Sequence, residues 1–134
     1  MKIKEQVLSR EQMARLVELG VDTSDASMAW YMSPNTNQWK IKIKDKFAHE
    51  MLRRISPERY IPTYTTGDLI EKLPKSIDIG FGDYDLEILI KGEYVGVQYT
   101  SGGDYTPFSC SPSSLIEALY IILCWLAENH KELL

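Results

Sequence analysis

The segment that most constrains this chain is its C-terminal part, residues 111–132, which combines a helix start signal with a wide apolar surface. Ser111 is suited to cap the first turn, and Pro112 to occupy the first helical position, where a missing N–H costs nothing. The apolar residues at helical spacing are Leu115, Ile116, Leu119, Ile121, Ile122, Leu123, Trp125 and Leu126. Because this stripe is wider than one narrow helix face, the other elements are expected to cover the helix on most sides.

The length of 134 residues fits one domain with one continuous core, so a single domain over residues 1–134 is predicted. The longest uncharged apolar run, residues 118–127, has about half the length needed to cross a bilayer. The first residues show no signal-peptide pattern. We therefore expect a cytoplasmic protein with no membrane partner.

The first half of the chain predicts a helix, a hairpin and a second helix. Ser9 and Gln12 have the capping-box spacing before a helix over residues 10–19, whose predicted buried stripe is Met13, Leu16 and Val17. Strands are predicted over residues 27–32 and 39–44, with Met28, Trp30 and Met32 on one face of the first and Trp39, Ile41 and Ile43 on one face of the second. A short helix follows over residues 46–55, because Phe47, Met51 and Ile55 recur every fourth residue.

A second hairpin is specified by its turn as well as by its alternation. A two-residue turn that begins with Gly92 suits a type II′ hairpin. It would place Ile90 opposite Val95, Ile88 opposite Val97 and Leu86 opposite Tyr99. The apolar faces of both strands then coincide, which supports this register.

The strands come as hairpins, so the predicted class is α+β, with a mainly antiparallel sheet of about four strands from two hairpins. Helices pack on this sheet, among them the long apolar C-terminal helix, which is expected to meet the sheet face of Trp30, Trp39, Ile41, Ile88 and Val97. The outward rows of the two hairpins have opposite charge, and they would pair if their strands were neighbours. These rows are Lys40, Lys42 and Lys44 in one hairpin and Asp83, Asp85 and Glu87 in the other.

Neither a metal site nor a cofactor is predicted. Cys110 and Cys124 are separated by thirteen residues, and Cys124 and His130 by five, which matches no paired-ligand motif. The acidic row alternates along a strand, which favours a solvated face over a calcium loop. Cys110 with His49 as a base is a conceivable nucleophilic pair, but nothing else in the sequence identifies an orienting group or an oxyanion hole. No catalytic residue is therefore assigned.

The loop over residues 100–108 is the best candidate for a ligand site. A glycine pair with flanking hydroxyl groups precedes the predicted N-terminus of the last helix, where backbone N–H groups can hold an anion. No Lys or Arg follows to complete a phosphate loop, and a plain connecting loop is the more common use of this composition. The candidate ligand-binding residues are Ser101, Gly102, Gly103, Tyr105, Cys110 and Ser111.

Several segments in this order resemble small proteins without assigned function from phages, prophages and mobile elements of gut bacteria. They are residues 8–13, 19–24, 26–30, 66–75 and 123–129. The resemblance covers caps, helix stops and core positions, and it implies a mobile-element origin and a cytoplasmic setting. It supplies no catalytic motif.

The sequence therefore favours a non-enzymatic accessory protein that acts through protein contacts, either as a homodimer or on a partner protein. Tyr31, Tyr60, Tyr64 and Tyr94 are of the type enriched in contact surfaces. The alternative is a small enzyme or ligand-binding domain that uses the loop over residues 102–108 and the helix start at residues 110–113. Nucleic-acid binding is disfavoured by the net charge of −4, although Lys40, Lys42, Lys44, Arg53 and Arg54 would be its basic residues.

Overall fold

The computed structural model describes residues 6–80, 82–101, 108–110 and 114–134. Its fold is α+β, as predicted, with strands paired antiparallel. The helices are α1 (Arg10–Glu18), α2 (Lys46–Ile55), α3 (Thr66–Lys72) and α4 (Leu115–Asn129), with 3₁₀ turns at Pro57–Arg59 and Lys131–Leu133. The strands are β1 (Met28–Met32), β2 (Trp39–Ile43), β3 (Tyr60–Thr63), β4 (Ser76–Asp78), β5 (Asp83–Lys91), β6 (Tyr94–Thr100) and β7 (Phe108–Cys110).

The two hairpins belong to two sheets, so the predicted single sheet is wrong. One sheet has the order β2-β1-β3 and the other β4-β5-β6-β7. The lysine row of β2 and the acidic row of β5 are consequently not neighbours, and the predicted cross-strand charge pairs do not form. The chain divides into two compact units, residues 1–68 and 69–134, with one sheet in each. One domain over residues 1–134 stays a prediction.

The first unit is held together by the segment that precedes α1. The carbonyl oxygen of Leu8 accepts hydrogen bonds from Trp30 Nε1 at 2.9 Å and from Thr63 Oγ1 at 2.7 Å. Its N–H donates to the carbonyl of Tyr64 at 3.0 Å. The indole of Trp30 therefore bonds inside this unit, in the sheet β2-β1-β3, whereas α4 packs on β6 and β7 of the other sheet.

The capping box of α1 is confirmed. Ser9 Oγ accepts from the N–H of Gln12 at 3.1 Å, and Gln12 Oε1 accepts from the N–H of Ser9 at 2.9 Å. Met13 and Leu16 are buried, but Val17 is 59% exposed, so the third member of the predicted buried stripe lies on the surface. The short helix predicted over residues 46–55 is confirmed as α2, and its Phe47 and Met51 are exposed.

The first hairpin has the predicted strands but not the predicted burial. Trp30 pairs with Ile41, and Met28 with Ile43. The most buried residue of β1 is Ala29, on the opposite face, whereas Ile43 is 76% exposed. The face that alternation marked as apolar is therefore only partly covered.

The second hairpin has the predicted register throughout. Ile90 lies opposite Val95, Ile88 opposite Val97 and Leu86 opposite Tyr99. Gly92 has a φ of 61°, as the first central residue of a type II′ turn requires. On the other face, the side chain of Tyr94 lies across Gly96, where an added Cβ would come within 2.9 Å of the Tyr94 hydroxyl.

Helix α4 packs against β6 and β7 and supplies half of the described buried apolar residues of the second unit. Its fully buried residues include Leu119, Ile122, Leu123 and Leu126. The N-cap is Ser114, whose hydroxyl accepts from the N–H of Glu117 at 3.3 Å. The predicted cap at Ser111 is therefore wrong. None of the described helices combines the length and apolar character that crossing a membrane requires.

Candidate functional site

Most of the ligand-binding residues predicted from the sequence lie outside the described part of the chain. Gly102, Gly103, Tyr105 and Ser111 are among them. Ser101 is exposed directly after β6, and Cys110 lies in β7 opposite Val97. Cys110 is thus part of a strand, and the described helix start is at Ser114. The anion site at this loop stays a prediction. The helix N-terminus that was expected to contribute to it lies at Ser114, beyond the predicted residues.

The side chains of His49 and Cys110 are likewise outside the description, so their pairing stays a hypothesis. Within the described residues, no cluster of His, Cys, Asp and Glu side chains could hold a metal ion. Asp83, Asp85 and Glu87 are exposed along β5, and Glu87 Oε1 accepts from Gln98 Nε2 at 2.8 Å. The acidic row is therefore a solvated strand face.

The structure instead shows a surface groove in the first unit, bounded by α1 and β3. One cavity of about 330 Å³ is lined by Arg10, Met13, Ala14, Val17, Glu18, Thr23, Ile61 and Pro62. A second cavity of about 460 Å³ shares Val17, Thr23 and Pro62 with it and extends to Val21, Asp22, Ser24, Pro57 and Tyr60. We call the two together the α1 groove.

One face of α1 forms the first wall of this groove. Arg10, Ala14 and Val17 are spaced by four and three residues, so they lie in a row along the helix. Met13 is buried below this row and anchors the helix to the first unit, whereas Val17 is exposed to solvent. The row spans roughly 10 Å, about the length of three to four extended residues.

The second wall comes from the edge strand β3. Ile61 and Pro62 present apolar side chains to the groove. Pro62 has no N–H, so this edge is poorly suited to accept an additional strand. A ligand in the α1 groove would therefore be held chiefly by side-chain contacts.

The far end of the groove is a polar loop that is fixed by hydrogen bonds. Asp22 Oδ1 accepts from the N–H of Ser24 at 3.0 Å, and Lys44 Nζ donates to the Ser24 carbonyl. The hydroxyl of Tyr64 lies 2.6 Å from Asp25 Oδ1 and 2.9 Å from the Asp22 carbonyl. This loop is thus preorganised, which lowers the entropic cost of binding.

Two tyrosines beneath this end of the groove stay neutral over the ordinary pH range. Burial raises the pKa of Tyr64, and the hydrogen bond to Asp25 raises it further. Burial also raises the pKa of Tyr60, with a smaller contribution from the negative charge of Asp45. Both phenols are therefore structural groups and poor proton-transfer catalysts near neutral pH.

The two ends of the α1 groove differ in charge. Arg10 lies at one end, with its guanidinium carbon 4.3 Å from the centroid of the Trp39 ring. Glu18 and Asp22 present exposed carboxylates at the other end, and Glu18 lies 3.7 Å from Arg15 in an exposed ion pair. A bound segment would therefore have a preferred direction.

Sequence reasoning missed this groove because it assigned Val17 to the core. Val17 is adjacent to Leu16, but on a helix consecutive residues point about 100° apart, so only one of them can face the core directly. The signal that could have identified the second wall is the pair Pro57 and Pro62 around Tyr60, because two prolines so close together are typical of a rigid segment.

Comparison of the chain with protein-family models, curated proteins and solved structures finds no match.

Proposed function

We propose that this protein is a non-enzymatic binding protein that holds a short segment of a partner protein in the α1 groove. The observation that carries this proposal is Val17, an apolar side chain that is 59% exposed on a helix whose Met13 and Leu16 are buried. It lines both cavities of the groove. Covering such a side chain stabilises a complex, because its exposed apolar surface leaves water.

The chemistry of the groove defines the segment it would hold. Met13, Ala14, Val17, Ile61 and Pro62 offer an apolar surface that suits two or three apolar side chains. The carboxylates at the Glu18 and Asp22 end favour a Lys or Arg next to them. The proposed occupant is therefore a short apolar segment with a basic residue at one end.

The setting we propose is the cytoplasm of a bacterium that carries a phage or mobile element, where the protein would serve as an accessory factor. This part rests on the resemblance of its capping and core segments to small proteins of such elements. Genes for phage or mobilisation functions on both sides of its own gene would agree with it. A location among unrelated metabolic genes would argue against it.

A displayed library of random linear peptides, selected on the full-length protein, tests the binding proposal. Enriched peptides should combine apolar residues with Lys or Arg, and synthetic copies should bind the wild type. Val17→Glu should weaken them at least about tenfold, which corresponds to about 1.4 kcal/mol. Asp22→Lys should selectively weaken the peptides with a basic end.

The matched control is Ile43→Glu, since Ile43 is 76% exposed but lines no described cavity of the groove. This variant should bind the peptides as the wild type does. Failure to enrich any peptide, or equal binding to the wild type and Val17→Glu, would refute the proposal.

A further inference from the structure

The second unit has a strand edge that is open along half of β5. Strand β4 pairs only with Asp83 to Asp85, and the last bond on that side runs from the Leu86 N–H to the Lys75 carbonyl at 2.9 Å. The chain leaves the sheet there, because Leu73 belongs to the end of α3, where its N–H donates to the Leu69 carbonyl. Beyond Leu86, β5 continues to Lys91 with β6 alone beside it among the described strands.

The orientation of the backbone along this edge follows from that last bond. The Leu86 N–H points away from β6, so the N–H and C=O groups of Ile88 and Ile90 point the same way. The described residues provide no hydrogen-bond partner for them on that side. Each chain thus presents two open donors and two open acceptors.

The side chains at this edge are unusually exposed for a strand. Ile90 is 66% exposed on the face that carries Ile88, and Leu89 is 40% exposed on the other. Open strand edges are commonly blunted by Pro or by a bulge, and neither occurs between Glu87 and Lys91. The edge is therefore suited to accept another strand.

We propose that β5 pairs antiparallel with β5 of a second copy of this chain, with Leu89 opposite its own counterpart on the two-fold axis. In this register Ile88 lies opposite Ile90 of the second copy, and the open groups form four backbone hydrogen bonds. Glu87 lies opposite Lys91 of the second copy, twice by symmetry. The two β sheets then continue across the axis as one.

Two observations select this register from its neighbours. A shift by one residue pair toward the base places Leu86 opposite Ile90, but the Leu86 N–H is already bonded to Lys75. A shift toward the tip places Glu87 opposite Glu93, which is unfavourable because like charges face each other. In the proposed register the pairing ends at Lys91, because the chain of the second copy turns at Gly92 toward its own β6 and away from the place opposite Leu86 that Lys75 occupies.

The second copy is the occupant that the charge pattern fits. Glu87 and Lys91 are on the same face of one strand but about 13 Å apart, so they cannot pair within one chain. Glu87 uses Oε1 for Gln98, which leaves Oε2 for a lysine. The interface is small and the dimer is expected to be weak. The proposal is independent of the α1 groove.

Charge reversal tests the pairing, with sedimentation equilibrium of the full chain up to about 1 mM as the measurement. The wild type should show a monomer–dimer equilibrium. Glu87→Lys and Lys91→Glu should each raise the dissociation constant roughly tenfold, because both symmetry-related pairs become repulsive. The double variant should return to the wild-type value, which no contact within one chain would produce.

A backbone variant provides the second measurement. Ile90→Pro removes an N–H that points away from β6, so the hairpin should keep its fold and circular dichroism spectrum while the dimer is lost. A wild type that stays monomeric up to about 1 mM would overturn the proposal. A dimer indifferent to the single reversals, or a double variant that stays dissociated, would also overturn it.

Discussion

The two hairpins of this molecule differ in how well alternation of apolar residues predicts burial. At the base of the β5–β6 hairpin, the apolar face is covered: Tyr84 is 4% exposed and Val97 1%. In the β1–β2 hairpin, the fully buried residue is Ala29, and Ile43 on the alternating face is 76% exposed. Residues 28–32 are apolar on both faces. Alternation thus identifies the residues that share a face, whereas burial depends on what covers it.

The largest expected difference between the two units is the loss of stability when one isoleucine side chain in each unit is truncated. Ile77 of β4 is 2% exposed, so Ile77→Ala should lower the free energy of unfolding by about 2–5 kcal/mol. Ile43→Ala should change it by less than about 0.5 kcal/mol, because this side chain is already in water. Urea unfolding measures both. A large loss for Ile43→Ala would mean that the alternating face of the first hairpin is covered after all.

The next effect concerns a fully buried tyrosine in each unit whose hydroxyl donates a hydrogen bond. The Tyr64 hydroxyl donates to a carboxylate, whereas that of Tyr99 donates to the Pro74 carbonyl at 2.7 Å. Tyr64→Phe should therefore destabilise by about 1.5–3 kcal/mol and Tyr99→Phe by about 0.5–1.5 kcal/mol, as judged from urea midpoints. The reverse order would show that the Asp25 carboxylate contributes little.

Alkaline pH should destabilise the two units to different extents. Burial raises the pKa of Tyr60 and Tyr64 in the first unit and of Tyr99 in the second. Since the unfolded phenol ionises near pH 10, the free energy of unfolding should be unaffected by these groups below that pH. Above that pH it should fall by up to about 1.4 kcal/mol per pH unit for each tyrosine, until the pH reaches the raised pKa of that group. Among the tyrosines with a described shift, two lie in the first unit and one in the second, so the first unit should lose stability more steeply.

Tryptophan fluorescence can follow each unit separately. Trp125→Phe leaves Trp30 and Trp39 as probes of the first unit, and replacing those two with Phe leaves Trp125 for the second. Phe at position 60 or 64 should flatten the alkaline loss of the first unit only. An equal fall of the unfolding free energy per pH unit in both units would contradict the assignment of the alkaline loss to these tyrosines.

The smallest effect compares the two helix caps. Ser9 has both bonds of a capping box, whereas Ser114 accepts one longer bond at 3.3 Å. Ser9→Ala should cost about 1 kcal/mol and Ser114→Ala less than that, by the same urea measurement. A larger loss at Ser114 would indicate that the start of α4 depends more on its cap than its geometry suggests.

The sequence predicted those elements whose signals are local. The α1 capping box and the β5–β6 register follow from residues close together in the chain, and both are confirmed. Strands β3, β4 and β7 have three or four residues each, and β3 contains Pro62. Such short segments become strands only through their partners, so the division into two sheets could not be inferred from periodicity.

The candidate site was less predictable than the fold. The α1 groove depends on Val17 being exposed and on β3 lying beside α1, and both are set by contacts between residues far apart in the chain. Composition pointed instead to the loop over residues 100–108, because glycine and hydroxyl groups are a visible local signal. The open edge of β5 was equally hidden, since it depends on where β4 ends.

The ring of Tyr94 across Gly96 has a consequence for how this sequence can evolve. A side chain at position 96 would meet the Tyr94 hydroxyl at 2.9 Å, so the ring would have to move away. A smaller residue at position 94 would remove that conflict. In any relative that shares this hairpin, a side chain at position 96 is therefore expected to occur with either a smaller residue at position 94 or an aromatic ring that is turned away from the strand.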